Sequence, residues 1–399
     1  MRILIVTQYF FPENFKCNDM AFELQKRGHD VTVLTAIPNY PKGKFYDGYG
    51  IFKKRKEILN GVKVHRSLLI TRGKGGGLRL ALNYFSYTVF SSIKAIWFSL
   101  TRKYDTIVVH EPSPILVGIP AVLVKKIQKI PMHFWVLDLW PESLSAAGGI
   151  KNKFVLGFFE GITKWIYRNS TTILIGSKGY KLSISQKGNF SNKIKYFPNW
   201  VEEALLENRK LLVPDFPEGL NIVVAGNMGD AQDLPHVLEA IRLLKNKPIN
   251  IIFIGDGRKK EYVESFATEH NLQKQIHCLG RYPLECMPSF FEKADILFMA
   301  LKDDPIFALT VPSRIQAYMS AGKPIVAMIN GEGADLVSEA DCGWTVPAED
   351  SQALASLFER LYHTDREILI HKGINGKLYS EQYFKFSSCM DSLEKTLGV

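Results

Sequence analysis

The sequence predicts an α/β chain built from two doubly wound domains with parallel sheets. Three observations carry this. Short, apolar, β-rich runs alternate with stretches of helical spacing, the pattern of successive βαβ units. The pattern starts twice, once at residues 2–7 and again at residues 221–225. The length of 399 residues suits two or three domains.

In order, Arg2-Ile-Leu-Ile-Val-Thr7 reads as a buried first strand. Residues 18–27 then carry apolar positions at helical spacing, Gly28 stops that helix, and residues 31–35 form the next strand. A strand–helix–strand unit of this kind implies parallel pairing. Further strands are expected at 106–109, 132–137 and 172–175. Phe197-Pro-Asn-Trp200 and the following stretch with Pro214 and Pro217 read as a linker, so the domains are placed at 1–200 and 201–379. The second half has strands at 221–225, 250–254, 276–279, 296–299 and 324–328 and a helix at 234–244. Residues 380–397 read as one terminal helix.

A hydrophobic fraction of 46% and a charged fraction of 23% exclude disordered, collagenous and coiled-coil chains. Five cysteines with no Cys-x-x-Cys pair point away from a disulfide framework or a cysteine zinc site, toward a reducing compartment. The first apolar run meets Gln8, Pro12 and Glu13 at once, unlike a signal peptide, so a cytoplasmic protein is expected. Residues 1–200 hold 30 Lys and Arg against 11 Asp and Glu, a balance of +19; the remainder holds 20 against 29, a balance of −9. Such polarity suits a polyanionic partner, an anionic membrane surface or a nucleic acid, or else a solvated basic face. No nucleic-acid-reading motif is present, so no nucleic-acid partner is expected. Residues 78–100 are long enough to span a bilayer, but Arg79, Asn83 and Lys94 argue instead for an interfacial helix or one packed on the sheet. Tyr84, Phe85, Tyr87, Trp97 and Phe98 suit the interface, with Arg72, Lys74, Arg102 and Lys103 as basic flanks.

In doubly wound sheets ligands bind outside the carboxyl ends of strands, in the loops that follow them. In the second half the loop Gly226-Asn-Met-Gly-Asp-Ala-Gln-Asp233 offers backbone N–H groups to an anion or makes a plain turn. Gly255-Asp-Gly257 permits a sharp turn or a close ligand, and Arg281 beside Tyr282 follows another strand. Residues 310–324 are richest: Thr310 or Ser313 can cap a helix, Pro312 suits its first turn, and Arg314 adds a cation, a cradle for a diphosphate. In the first half, His110-Glu-Pro-Ser-Pro and Asp138-Leu-Trp-Pro-Glu142 place ionisable groups at strand ends, where a carboxylate can serve a hydroxyl or be structural. The chain contains no Asp-x-Asp and no spaced His or Cys cluster, so neither a metal nor a cofactor is expected.

These motifs together resemble family 4 glycosyltransferases of the GT-B fold, over nearly the whole chain. They are most like the branch that makes bacterial capsule, O-antigen and colanic-acid-type polysaccharide, fucosaminyltransferases included. Gln8-Tyr-Phe-Phe-Pro-Glu-Asn-Phe15, Arg27-Gly-His-Asp-Val-Thr-Val-Leu-Thr35, Pro38-Asn-Tyr-Pro41, Asp138-Leu-Trp-Pro-Glu142, Phe197-Pro-Asn-Trp200, Gly226-Asn-Met-Gly229 and Ala321-Gly-Lys-Pro324 carry the likeness. The resemblance implies two Rossmann-like domains facing a cleft, the last helix returning to the first domain. It implies metal-independent, retaining transfer from a nucleotide sugar, UDP-linked and N-acetylated or deoxy, to an undecaprenyl-linked or oligosaccharide acceptor at the inner face of the cytoplasmic membrane. Gly226, Asn227, Gln232, Gly255, Asp256, Gly257, Arg281, Tyr282, Lys302, Thr310, Ser313, Arg314 and Glu332 fall on the donor side. Asn14, Phe15, His110, Glu111, Asp138, Trp140 and Glu142 fall on the acceptor side, with Asp138 and Arg314 as the catalytic pair. The chain departs from the family at Asn227 and Gln232, where Arg and Lys are usual, and at Ala317, where a glutamate is usual. Diphosphate charge then falls to Arg314, Lys302 and Arg281. A GT-B nucleotide-sugar epimerase and a catalytically silent sugar-binding partner protein are the alternative readings.

Overall fold

The computed structural model describes residues 1–73, 76–146, 149–207 and 210–399. The chain forms two compact units, Met1–Phe197 with Met390–Val399, and Pro198–Cys389.

The first unit is built on eight strands: β1 (Arg2–Val6), β2 (Asp30–Ala36), β3 (Lys56–Leu59), β4 (Val62–Ser67), β5 (Thr106–Glu111), β6 (Met132–Val136), β7 (Thr172–Ile175) and β8 (Ile194–Tyr196). Their order is β3-β4-β2-β1-β5-β6-β7-β8. All pairs are parallel except β3 with β4. Helices cover both faces, so Ile3, Leu4, Ile5 and Val6 are all fully buried, as a central parallel strand requires. The chain changes direction between β1 and β5, the switch point where a crevice opens.

The second unit has six strands, all parallel: β9 (Leu220–Ala225), β10 (Ile249–Ile254), β11 (Ile276–Gly280), β12 (Ile296–Ala300), β13 (Ile325–Met328) and β14 (Gly343–Val346). The order is β11-β10-β9-β12-β13-β14, with the switch between β9 and β12. Period two divides β9 between two cores. Ile222 and Val224 pack with Val237, Leu238 and Phe358; Val223 and Ala225 pack with Phe290, Ile315 and Tyr318.

The ten strands expected from sequence are present, and β3, β4, β8 and β14 are added to them. The β3–β4 hairpin turns at Asn60 and Gly61, both with positive φ (47° and 84°), the signature of a type I′ turn. The terminal helix is not continuous. Helices Arg366–Tyr383 and Phe386–Leu397 are separated at Phe384, which is buried and whose carbonyl accepts the Val201 N–H. The Arg27-Gly-His29 motif also gains a reason. Gly28 leaves the Lys16–Lys26 helix with φ 92°, and Arg27 and His29 receive the last helix: Arg27 donates to Asp391 and Glu394 at 2.6 Å each, and His29 meets Glu394 at 2.8 Å.

The helix Gly77–Thr101 is amphipathic in reverse. Its buried face carries Asn83, Tyr87, Thr88, Ser91, Ala95, Phe98 and Ser99. Its outer face exposes Leu78, Leu82, Phe85, Val89, Ile93, Ile96 and Leu100 at intervals of three and four. Tyr87 and Phe98 are therefore not interfacial: Tyr87 donates to the Thr7 carbonyl at 2.9 Å, and Phe98 packs edge-on against His65. Among the described residues no helix is long and apolar enough to cross a membrane. Lys74, one of the expected basic flanks, lies outside the described residues.

Candidate functional site

In the second unit the loops after β9 and β10 are locked together. The Gly226 N–H donates to Ile254 O, and Met228 N–H to Asp256 O, at 2.8 and 2.9 Å. A Cβ on Gly255 would lie 1.9 Å from Gly226 O, and one on Gly257 would lie 2.3 Å from Met228 O, so both glycines are required by close backbone approach. Gln232 turns back on its own loop, its Oε1 accepting the Gly229 N–H at 2.8 Å. The Gly257 N–H is taken by Asp256 Oδ1. The expected cradle of free amides is thus largely spent on holding the loop's shape.

Arg314 supplies what the amides do not. It stands in the first turn of helix Ser313–Ser320, and its guanidinium covers Gly226: a Cβ there would meet Nη2 at 2.8 Å. Nη2 also donates to Asn227 O at 3.3 Å. Neither Thr310 nor Ser313 caps this helix. Pro312 occupies the cap with no side-chain bond, and the Thr310 hydroxyl donates to Phe307 O instead. Gly331 and Gly333, which flank Glu332, pack close to the segment leading into this helix, since Cβ atoms on them would meet Ala308 O at 2.1 Å and Pro312 Cδ at 3.3 Å. Lys302, exposed, follows β12 and donates its N–H to Ala231 O in the β9 loop. Arg281 is exposed after β11, whereas Tyr282 packs edge-on against Phe290, 4.7 Å between centroids, in the core. The structure therefore gathers Gly226, Asn227, Gln232, Gly255, Asp256, Gly257, Lys302 and Arg314 at one switch point; Tyr282 serves packing.

In the first unit the loops after β1 and β5 meet at the other switch point. Phe15 stacks on Tyr9 (4.9 Å, 11° between planes) and lies edge-on to His110 at 6.3 Å. Asn14 is exposed beside it. The His110 ring is buried with Nδ1 3.1 Å from the Thr7 hydroxyl, which also lies within hydrogen-bond reach of Tyr9 O. Burial holds its pKa down at about 3, and the ring is neutral. Four residues that the sequence did not assign to the acceptor side, Tyr9, Tyr40, Tyr84 and Arg72, complete this wall. Arg72 covers Tyr9, Tyr40 and Tyr84 and donates to the Tyr9 hydroxyl at 2.8 Å. Tyr9 and Tyr40 stood in the motifs of the resemblance, whereas Tyr84 and Arg72 were expected at a membrane interface and instead meet here, Arg72 arriving from a distant loop.

The carboxylates sort themselves by surroundings. Asp138, after β6, accepts from Trp140 Nε1 at 3.0 Å and from the Ser143 hydroxyl. Burial raises its pKa while the Ser143, Trp140 and Ser113 bonds oppose the rise. Ser113 holds a φ of 123°, a region non-glycine residues rarely adopt. Glu111 does not line the site. It is fully buried with neither carboxyl oxygen hydrogen-bonded, and burial, then the nearby Asp138 charge, push its pKa well up, so it stands behind the wall. Trp140 is likewise buried and packs against Phe159, 5.1 Å between centroids with the planes tilted by 60°. Glu142 accepts from Ser183 at 2.8 Å and pairs with Lys187, a structural ion pair.

Two doubly wound units, each with polar loops gathered at its switch point, define a GT-B-type architecture. The chain belongs to the family 4 glycosyltransferases: the Glycosyl transferase 4-like domain matches residues 16–200 and Glycosyl transferases group 1 matches residues 219–364. It is 27% identical over 276 residues, 65% of this chain and 68% of the relative, to WbjE of Pseudomonas aeruginosa, named as a glycosyltransferase. It is 24% identical over 341 residues, 81% of this chain and 82% of the relative, to WcaI of Escherichia coli K12, named for colanic acid biosynthesis. Among solved structures it resembles HepE of Anabaena in complex with UDP, with TM-score 0.71, 13% identity and all of both chains covered. Sucrose-phosphate synthase of Thermosynechococcus elongatus gives TM-score 0.69 at 14% identity, covering 99% and 97% of the two chains.

Proposed function

We propose that this glycosyltransferase acts in bacterial surface polysaccharide synthesis. It moves a hexosyl or N-acetylhexosaminyl group, with retention, from a UDP-linked donor to an undecaprenyl-linked or oligosaccharide acceptor. The relatives named for polysaccharide synthesis support the pathway class, and the UDP complex of HepE supports the nucleotide. The observation that carries the reading is Arg314 over Gly226, a fixed cation at a carboxyl-edge switch point.

In this reading the diphosphate lies against Gly226 and Arg314, with Lys302 as a further cation. The bond from the anomeric carbon to the diphosphate oxygen breaks, the acceptor oxygen bonds the same face of that carbon, and the acceptor proton passes to the departing diphosphate. Arg314 and the uncapped start of its helix absorb the growing negative charge. Asp138 orients the acceptor hydroxyl; Phe15 and Tyr40 offer sugar-stacking surface, backed by the buried Tyr9 and neutral His110 rings, so His110 supports the wall rather than touching the acceptor. The reaction needs no metal in this account. The exposed apolar face of helix Gly77–Thr101 rests on an anionic membrane, presenting a lipid-linked acceptor to the first unit.

Thermal-shift screening with UDP, GDP, dTDP and their sugars tests the donor, because a ligand that favours the folded state raises the melting temperature. A UDP-sugar is expected to give the largest shift and to be turned over with a lipid extract. Stabilisation by nucleotide sugars with no transfer or hydrolysis would favour the silent sugar-binding reading, to which the self-closed Gln232 loop lends itself. Interconversion of sugars without an acceptor would favour the epimerase.

A further inference from the structure

At the amino-terminal edge of the first sheet, opposite the loops described above, lies a cavity of about 350 Å³. The strand starts create it. Arg2 opens β1, Asp30 opens β2, Lys63 is the second residue of β4, and Arg102 and Lys103 precede β5. Four cations face one carboxylate. Asp30 is already held by Lys63 at 2.7 and 2.9 Å, and Arg2 is paired outside the cavity with Asp105 at 2.6 Å. Among the described residues no carboxylate pairs with Arg102 or Lys103.

Arg102 is held in place rather than neutralised. Its guanidinium lies 4.4 Å from the Phe98 ring centre and 5.7 Å from that of Trp97, and it donates to His65 Nε2 at 3.0 Å. With Nε2 accepting, the His65 proton is on Nδ1, a buried donor with no acceptor; the buried Tyr104 hydroxyl completes no hydrogen bond either. Burial, followed by the charges of Arg102, Lys94, Lys56 and Lys63, holds the His65 pKa down at about 4, a sign of the positive field here. The protein's own acids leave that field unbalanced, which fits a phosphate anion.

The helix Gly77–Thr101 ends at this cavity, and its exposed Ile93, Ile96, Trp97 and Leu100 lead up to it. Trp97 is shared, lying beneath both Arg102 and Lys56. We propose that this cavity binds the phosphate of an anionic lipid headgroup, fixing the orientation of the first unit on the membrane. The proposal rests on the membrane docking of the preceding section and adds a defined headgroup site to it.

The test is flotation with phosphatidylcholine vesicles, with or without phosphatidylglycerol, alongside His65 imidazole resonances during titration with glycerol 3-phosphate. Lys103→Glu, at an exposed position on the cavity rim, should lower binding to phosphatidylglycerol vesicles by about tenfold or more and leave phosphatidylcholine binding unchanged. Lys181→Glu, an equal charge change on an exposed residue of the same unit, should do much less. Ile93→Ser with Ile96→Ser should weaken binding to both vesicles. Glycerol 3-phosphate should shift the His65 resonances of the native chain and not those of Lys103→Glu. Equal losses from Lys103→Glu and Lys181→Glu would overturn the headgroup site while leaving membrane docking intact. Failure of the native chain to float with either vesicle would overturn docking itself. Saturation by glycerol 3-phosphate in a chain that ignores vesicles would reassign the cavity to a free phosphate ester.

Discussion

Glu13 lies in the turn after β1, and its buried Oε1 accepts the N–H groups of Asn39 and Tyr40 at 2.8 and 2.7 Å. Burial pushes its pKa up to about 7, against those backbone bonds. An unfolded glutamate titrates near 4.3, so the folded chain binds this proton more tightly. Its stabilisation is complete below about pH 4 and is lost as pH rises through 7, about 3–4 kcal/mol in all. Glu13→Gln should flatten the fall in urea midpoint between pH 5 and 8; an unchanged slope would assign that fall to another group. Arg314 carries the second prediction at this scale. Arg314→Ala should weaken binding of the UDP-sugar by about 1.5–3 kcal/mol, the worth of a hydrogen bond to a charged group. Calorimetric titration measures this, and an unchanged affinity would remove Arg314 from the donor site.

The junction of the last helix with Arg27 and His29 rests on Asp391 and, shared by both basic residues, Glu394. Glu394 accepts from both, and these bonds, His29's first, hold its pKa down. Glu394→Gln should cost about 1.5–3 kcal/mol of stability at pH 7. The cost should shrink as pH falls through the native carboxyl's depressed titration, because there the native side chain also loses its charge. A cost that stays constant down to the acid unfolding of the chain would show that packing, not charge, holds the helix. Elements such as β1, β5 and β9 were legible because a strand buried on both faces is a continuous apolar run. The β3–β4 hairpin carried a signal in Asn60-Gly61, but Lys53-Lys-Arg-Lys56 and Lys63 hid its alternation. The break at Phe384 was not legible, since a buried aromatic in a helical pattern reads as helix core; it is set by packing and the bond to Val201. The same limit applied at the site. Loop positions after strands were readable from topology, yet the burial of Glu111 and Trp140, the self-closure by Gln232 and the arrival of Arg72 depend on contacts between distant segments.

For the whole molecule, the missing Asp-x-Asp and the placement of cations at the donor switch point predict turnover that survives EDTA. Activity lost to EDTA and restored by magnesium or manganese would show that a metal, not Arg314 and Lys302, carries the diphosphate charge. The last prediction joins charge to surface. The basic half has +19 and the acidic half −9, so a negative surface should orient the chain as it approaches. Each basic side chain near such a surface is worth about 1 kcal/mol, and this attraction decays over a screening length of about 8 Å at physiological salt. The apolar face of helix Gly77–Thr101 acts differently: burying its side chains in the headgroup boundary is insensitive to salt. Raising salt should therefore remove the electrostatic share of vesicle binding and leave an apolar remainder. Neutralising exposed Lys53, Lys54 and Lys56 should reproduce the effect of salt on the native chain, whereas making Ile93 and Trp97 polar should abolish the remainder. Co-sedimentation across a salt series measures both shares, and a remainder that survives the Ile93 and Trp97 changes would place the contact on another face of the molecule.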